Sequence, residues 1–97
     1  MADLKAIQEK MIQTSLKFVE SSDREIEWLN KQIAEQREKD RNFVEWVWSK
    51  GVVDEWEMGR FTKNYKSEEM KNLLKQRQRE YKWRASQRKY AEKWSRI

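Results

Sequence analysis

Apolar residues in the first half of the chain recur at alternating intervals of three and four positions, the spacing of one face of an α-helix. A short stripe opens the pattern with Leu4, Ile7, Met11 and Phe18, and a longer stripe beside it contains Ile12, Val19, Ile26, Leu29, Ile33, Phe43 and Val47. Polar side chains fill the gaps of the longer stripe at Ser15, Ser22, Gln36 and Asp40. Because no proline interrupts the run, the pattern predicts one long helix over residues 3–49 with a heptad-like seam.

Two local patterns leave alternatives to this long helix. Ser22 and Glu25 have the spacing of a capping box, so the helix could break and restart near residue 22. Residues 43–48 alternate and are rich in β-prone side chains, which is also the pattern of a strand.

Gly51 is the first clear helix breaker, and Ser49 and Lys50 before it suit a helix C-terminus. Residues 50–66 are therefore expected to form an elbow between two helices. Within it, Asp54 and Glu57 have capping-box spacing and predict a short helix that ends near Gly59, followed by a loop over residues 61–66.

The last helix is predicted over residues 67–96, with Ser67 as its N-cap and with Glu68 and Glu69 in its first turn, where the helix dipole favours acidic side chains. Residues 1–97 then form a single all-α domain, a helical hairpin. Two long helices enclose a thin core, so we expect the chain to be a homo-oligomer or a subunit of a larger assembly.

Composition narrows the function classes. Only 37% of the 97 residues are hydrophobic whereas 40% are charged, and proline, cysteine and histidine are absent. These numbers exclude a disulfide scaffold, a Cys/His zinc site and histidine catalysis, and the shortage of turn residues argues against β folds. We predict no cofactor and no metal. No apolar stretch is long enough for a membrane span or a signal peptide, so a cytoplasmic protein is expected and membrane binding is not.

The positive charge is concentrated in the last helix. Residues 71–97 contain ten basic and two acidic side chains, a net charge of +8, whereas residues 1–70 have a net charge of −3. At helical spacing six cations share one narrow stripe: Lys75, Arg79, Lys82, Lys89, Lys93 and Arg96. Cations in this arrangement suit nucleic acid, DNA or RNA, because they displace counterions from phosphates.

An aromatic stripe of Trp83, Tyr90 and Trp94 lies beside these cations. Flat rings next to basic side chains can stack on exposed bases, so these residues complete the candidate nucleic-acid site. The stripe points away from the apolar side of the same helix, which comprises Met70, Leu73, Leu74 and Tyr81. The helix must therefore bend near residues 85–86, or the aromatic stripe must meet a partner. Arg77, Arg84 and Arg88 continue the apolar side at the point where the core is expected to end.

Aromatic residues are also concentrated around the elbow, where Trp46, Trp48, Trp56 and Phe61 are candidate protein-interface residues. Aromatic side chains dominate binding hot spots, but those at helical spacing are more often core, and the core interpretation is favoured here. Trp28, one position off the seam, either packs against the last helix, which is favoured, or marks an exposed contact.

The sequence contains little that resembles a catalytic motif. The sequence Glu69-Met70-Lys71 matches an element of metal-dependent nucleases, but both acidic residues before Met70 are explained by helix capping. We therefore predict a non-enzymatic nucleic-acid-binding or packaging-type accessory protein. The alternative is a small protein-binding inhibitor, adaptor or assembly factor that docks through its aromatic elbow and C-terminal helix onto an acidic partner surface. The composition of the chain also fits a phage-encoded protein.

Overall fold

Two antiparallel helices form the hairpin in the computed structural model, which describes residues 3–51 and 65–97. Helix α1 spans Leu4–Ser49 and helix α2 spans Glu68–Ser95. The described residues include no strand, so the predicted all-α helical hairpin is confirmed. The short helix predicted near residues 54–59 and most of the loop predicted after it lie outside the described residues.

The helix ends follow the capping residues of the sequence. The Asp3 carboxylate accepts a hydrogen bond from the Lys5 N–H and caps α1, and Ser67 Oγ accepts from the Met70 N–H and caps α2. Lys50 is the C-cap of α1, and Gly51 then takes a φ of +64°, the left-handed conformation that ends helices at glycine. The predicted helix bounds therefore agree with the structure to within one residue.

Helix α1 is continuous through both segments for which the sequence leaves an alternative. Residues 43–48 are helical, so the strand alternative is wrong. Ser22 does not restart the helix either: its side chain is buried, and its hydroxyl donates to Glu80 Oε1 of α2 at 2.7 Å. A side chain with capping potential is used here for packing between the helices.

The face of α1 that meets α2 is the predicted seam. Its buried residues are Ser15, Val19, Ser22, Ile26, Leu29 and Ile33. Half-buried side chains extend it in both directions, including Ile12 at one end and Gln36, Asp40 and Val47 at the other. The exception is Phe43, which is exposed, while its neighbour Val44 is half-buried instead.

The facing seam of α2 keeps the same alternating spacing although half of it is polar. Its buried or half-buried members are Met70, Leu73, Arg77, Glu80, Arg84, Gln87, Ala91 and Trp94. The expectation that the packed face ends at Arg77 and Arg84 is therefore wrong. The packing continues through polar residues as far as Gln87 and then through Ala91 and Trp94 to the end of the helix. There Gln8 Nε2 donates to the Trp94 carbonyl at 2.6 Å.

Hydrogen bonds across the hairpin stabilise this polar stretch. Arg77 Nη1 donates to Asn30 Oδ1 at 2.9 Å, and Arg84 Nη1 donates to Asp23 Oδ1 at 2.7 Å. Within the described part of the chain, no buried side-chain nitrogen or oxygen lacks a hydrogen-bond partner. A buried polar group without a hydrogen bond is costly. Because these polar side chains are hydrogen-bonded, they can pack between the helices, and the hairpin needs few apolar residues.

The molecule is a thin rod of 76 × 19 × 14 Å. Its radius of gyration is 21.5 Å, whereas a compact domain of this length has one of about 12–13 Å. Because two helices pack along a single seam, each helix leaves its two flanks and its outer side uncovered. The candidate functional residues lie on those uncovered sides.

Candidate nucleic-acid interface

The six predicted cations of α2 lie on the side of the helix that faces away from α1. Lys75, Lys82, Lys89 and Arg96 follow each other at seven-residue intervals, opposite the seam, and Arg79 and Lys93 lie beside them. All six are exposed. The predicted basic stripe is thus a continuous outer edge of the rod, about 32 Å long at 1.5 Å per residue.

Most of this positive charge is not neutralised by neighbouring side chains. Arg96 pairs with Glu92 one turn earlier. The other five cations make no ion pair with any described residue. Exposed cations without a carboxylate partner are the groups that can exchange solution counterions for phosphates.

The predicted aromatic stripe divides between two environments. Trp83 and Tyr90 lie on the flank beside the seam and remain 47% and 42% exposed. Trp94 is half-buried within the seam itself, where its ring meets that of Tyr90 edge-on at 6.3 Å between centroids. Helix α2 continues without a break past residues 85–86. Because Trp94 lies in the seam, only two rings of the stripe are available on the flank.

Helix α1 contributes two rings to the same flank, and the sequence analysis predicted neither of them as a site residue. Phe18 meets Trp83 edge-on with centroids 6.0 Å apart, and it is 45% exposed. Trp28 is 51% exposed, so the expectation that it packs against α2 is wrong. Helical spacing puts Trp28 on the same flank of α1 as Phe18, so the four rings share one side of the hairpin. The opposite flank holds the ion pair between Asp23 and Arg84.

Helix α1 also has a basic outer edge of its own. Lys10, Lys17, Arg24 and Lys31 occupy the position opposite its seam at seven-residue intervals, and all are exposed. Among them Arg24 has an ion pair, with Glu20 at 3.9 Å. A heptad assignment of α1 identifies this row, which continues at the same spacing into Glu38 and Glu45, so its basic part is confined to residues 10–31. The net charge of residues 1–70 conceals it, because acidic residues outnumber basic ones over that length.

The aromatic residues at the elbow end are exposed where the structure describes them. Trp46 stacks on Phe43 and has the Lys50 ammonium over its ring at 5.4 Å. Trp48 lines a groove of about 640 Å³ together with Arg41 and Tyr65. The core interpretation is therefore wrong for Trp46 and Trp48. The other two predicted interface residues, Trp56 and Phe61, lie outside the described residues.

A hydrogen-bonded carboxylate holds the start of α2 against α1. Asp40 accepts from Gln36 Nε2 at 2.9 Å, from the Ser67 N–H at 3.3 Å and from Ser67 Oγ at 3.1 Å. Partial burial raises the pKa of Asp40, but these hydrogen bonds outweigh it, so the pKa lies below its usual 3.8. Burial, aided by the negative charges of Asp40 and Glu69, raises the pKa of Tyr65 above 10.0.

The acidic residues at the start of α2 have structural roles. Glu68 and Glu69 lie in the first turn, and Glu68 pairs with Lys71 at 3.8 Å. Met70, which follows Glu69, is buried in the seam. No group of three or more side chains that could hold a metal ion occurs in the part of the chain that the structure describes.

Comparisons with protein-family models, with curated proteins and with solved structures give no match. Neither α1 nor α2 has a stretch both long and apolar enough to cross a membrane.

Proposed function

We propose that this chain is a non-enzymatic nucleic-acid-binding protein of the accessory or packaging type. The observation that carries the proposal is the outer edge of α2, where six exposed cations follow one line and five have no ion-pair partner among the described residues. Phosphate contacts of this kind supply affinity without base-specific readout. A cytoplasmic location is part of the same proposal.

The salt dependence of binding tests this proposal directly. If each of the six cations neutralises one phosphate of duplex DNA, the logarithm of the binding constant falls against the logarithm of salt concentration with a slope of about −5. Fluorescence anisotropy of a labelled duplex, titrated at several salt concentrations, measures that slope. No binding at low salt, or binding that does not change with salt, would refute the proposal.

Charge reversal shows whether the edge itself is responsible. Reversing Lys75, Lys82 and Lys89 to glutamate should abolish measurable binding, because it replaces three attractions by three repulsions. The matched control reverses Lys39, Lys66 and Lys71, which are exposed and lie away from that edge. The control makes the same change in net charge, so equal loss in both variants would mean that only total charge matters.

A protein-binding adaptor is the second candidate, and the exposed Trp46 and Trp48 favour it. Exposed tryptophans are typical hot-spot residues, and the basic edges would steer the rod towards an acidic protein surface. Under this hypothesis a protein partner is lost with Trp46→Ala and Trp48→Ala, whereas reversal of the basic edge changes mainly the association rate. Nucleic-acid binding would then be absent.

A further inference from the structure

One side of the rod combines exposed rings from both helices. We call it the aromatic face; it comprises Leu4, Ile7, Met11, Phe18 and Trp28 from α1 with Trp83, Tyr90 and Ile97 from the α2 end of the chain. The Phe18–Trp83 contact fixes its register. One heptad further towards the termini Met11 lies level with Tyr90, and one heptad beyond that Leu4 lies level with Ile97.

The exposed area of this face exceeds what single surface residues provide. Its four rings, Phe18, Trp28, Trp83 and Tyr90, are each between 42% and 51% exposed. With about 150–250 Å² per aromatic side chain, they alone present about 300–450 Å², an area comparable to the largest patch of a typical monomer, which is often functional.

Positive charge borders the aromatic face on both sides. The outer edge of α1 contributes Lys10, Lys17, Arg24 and Lys31, and the outer edge of α2 contributes its six cations. The opposite side of the rod has charges of both signs instead, with Glu9, Glu20, Asp23, Glu27 and Glu92 exposed beside Arg37, Arg41, Lys71 and Arg88. A ligand on the aromatic face thus meets rings in the middle and cations at both margins, and the exposed Glu25 between Phe18 and Trp28 is the carboxylate that its phosphates must avoid.

We infer that the aromatic face binds single-stranded nucleic acid, with unpaired bases stacked on Phe18, Trp28, Trp83 and Tyr90 and phosphates directed to the basic edges. The inference rests on the proposed function and specifies its substrate. Base stacking on aromatic side chains needs no particular sequence, because every base has a flat face. The combination of a stacking platform with cations is the common solution for such ligands.

Other occupants fit this face less well. A duplex keeps its bases paired and stacked inside, so it can use the cations but not the rings. A second copy would bring the basic edges of two rods together, and the resulting repulsion opposes the apolar contact. Single strands use both features at once.

The experiment compares a labelled single-stranded oligo(dT) of about 20 nucleotides with a duplex of equal length, at one low salt concentration. Trp28→Ala and Trp83→Ala should each weaken oligo(dT) binding about 5- to 150-fold and change duplex binding less than twofold. Trp48→Ala is the matched control, because this tryptophan is also 51% exposed but lines the groove at the elbow end. Circular dichroism checks that each variant keeps its helices.

A second pair of variants tests the α1 edge. Lys17→Gln with Lys31→Gln should weaken oligo(dT) binding more than Lys39→Gln with Lys66→Gln, although both pairs remove two charges. Equal effects would show that the α1 edge takes no part and would overturn the two-edged site.

The outcomes separate this inference from the proposed function. Salt-dependent duplex binding together with oligo(dT) binding that Trp28→Ala and Trp83→Ala leave unchanged would overturn the inference and keep the proposed function. Failure to bind either nucleic acid would overturn both. Binding to vesicles of anionic lipid in place of oligo(dT), or a dimer at that same low salt concentration that Trp28→Ala dissociates, would assign the face to a membrane or to a second copy and also overturn the inference.

Discussion

The bond between Ser22 and Glu80 places a polar pair where a hairpin of this kind usually has two apolar side chains. Ser22 is 2% exposed, and Glu80 is half-buried with its carboxylate oxygen 2.7 Å from the serine hydroxyl. A hydrogen bond to a charged group stabilises a fold more than a neutral one does, and loss of the donor leaves that charge partly desolvated.

Replacing Ser22 with alanine should therefore lower the free energy of unfolding by about 1.5–3 kcal/mol. Ser21→Ala is the matched control, because Ser21 is the exposed neighbour and its replacement should change stability by less than about 0.5 kcal/mol. Urea denaturation followed by circular dichroism measures both. Equal stability of the two variants would mean that the Ser22–Glu80 bond contributes nothing net.

Asp40 makes the stability of the hairpin depend on pH at the elbow end. Its pKa in the folded chain is below 3.8, because the hydrogen bonds from Gln36 and Ser67 favour the charged carboxylate more than partial burial disfavours it. Between the folded and unfolded pKa values the unfolded chain binds more protons, so stability rises with pH there. The contribution of Asp40 is present above the unfolded pKa and is lost as the pH falls through the folded pKa.

The Asp40→Asn variant should consequently be less stable than the native chain at about pH 5 and should lose less stability on acidification to about pH 2. Thermal unfolding across this range measures the difference. Glu38→Gln serves as the control, since the Glu38 side chain is 61% exposed and makes no hydrogen bond to the described residues of α2. If native and Asp40→Asn chains lose stability in parallel, Asp40 does not act through its ionisation.

The end of α1 depends on the backbone of one residue. Gly51 has a φ of +64°, and a Cβ placed there would meet no atom within 4 Å. Any cost of a side chain at this position is thus conformational and not steric contact with a neighbour. Left-handed backbone costs ordinary L-residues about 1–2 kcal/mol, and asparagine tolerates it better.

Gly51→Ala should lower the free energy of unfolding by about 1 kcal/mol, and Gly51→Asn should lower it by less. Chemical denaturation of the three chains gives this order. An alanine variant as stable as the native chain would show that the α1 terminus unwinds without cost.

The two helices differ in how much of their packing the sequence predicts. In α1 the buried residues are mainly apolar and periodic, so the pattern of Val19, Ile26 and Ile33 identifies the seam. In α2 the seam passes through Arg77 and Glu80, and the apolar pattern disappears there. The packed face depends instead on the hydrogen bonds of Arg77 to Asn30 and of Arg84 to Asp23, over 47 and 61 positions of the chain. Local periodicity contains no information about such pairs.

The candidate site was likewise predictable only in part. The cations of α2 are concentrated in sequence, so the basic edge is visible in the composition of residues 71–97 alone. The cations of α1 are concealed in the composition by the more numerous acidic residues of the same helix. Phe18 and Trp28 can be assigned to the candidate site only once the seam shows which flank of α1 faces Trp83. The aromatic face combines residues of both helices, so the sequence of either helix alone does not predict it.

At the scale of the whole rod, the enclosed seam is surrounded by two flanks and two outer edges. One flank is aromatic, the other has charges of both signs, and the outer edges are basic along α2 and over residues 10–31 of α1. The net charge of +5 is therefore a poor description of the surface that a partner meets. An anionic ligand that approaches the aromatic face near the chain termini meets both basic edges, while the flank of mixed charge is directed away from it.

This arrangement also bears on the expectation of a homo-oligomer. The aromatic face favours self-association, but the basic edges oppose it over a Debye length of about 30 Å at 0.01 M salt and only about 3 Å at 1 M. We therefore expect a monomer with a radius of gyration near 21.5 Å at low salt and growing association as salt is added. Light scattering measures the association state, and small-angle X-ray scattering measures the radius of gyration.

The double variant Phe18→Ser with Trp83→Ser should remain monomeric at every salt concentration, because the apolar contact is removed. A native chain that is already dimeric at low salt would show that apolar burial outweighs the repulsion between edges, and the aromatic face would then be a contact between copies.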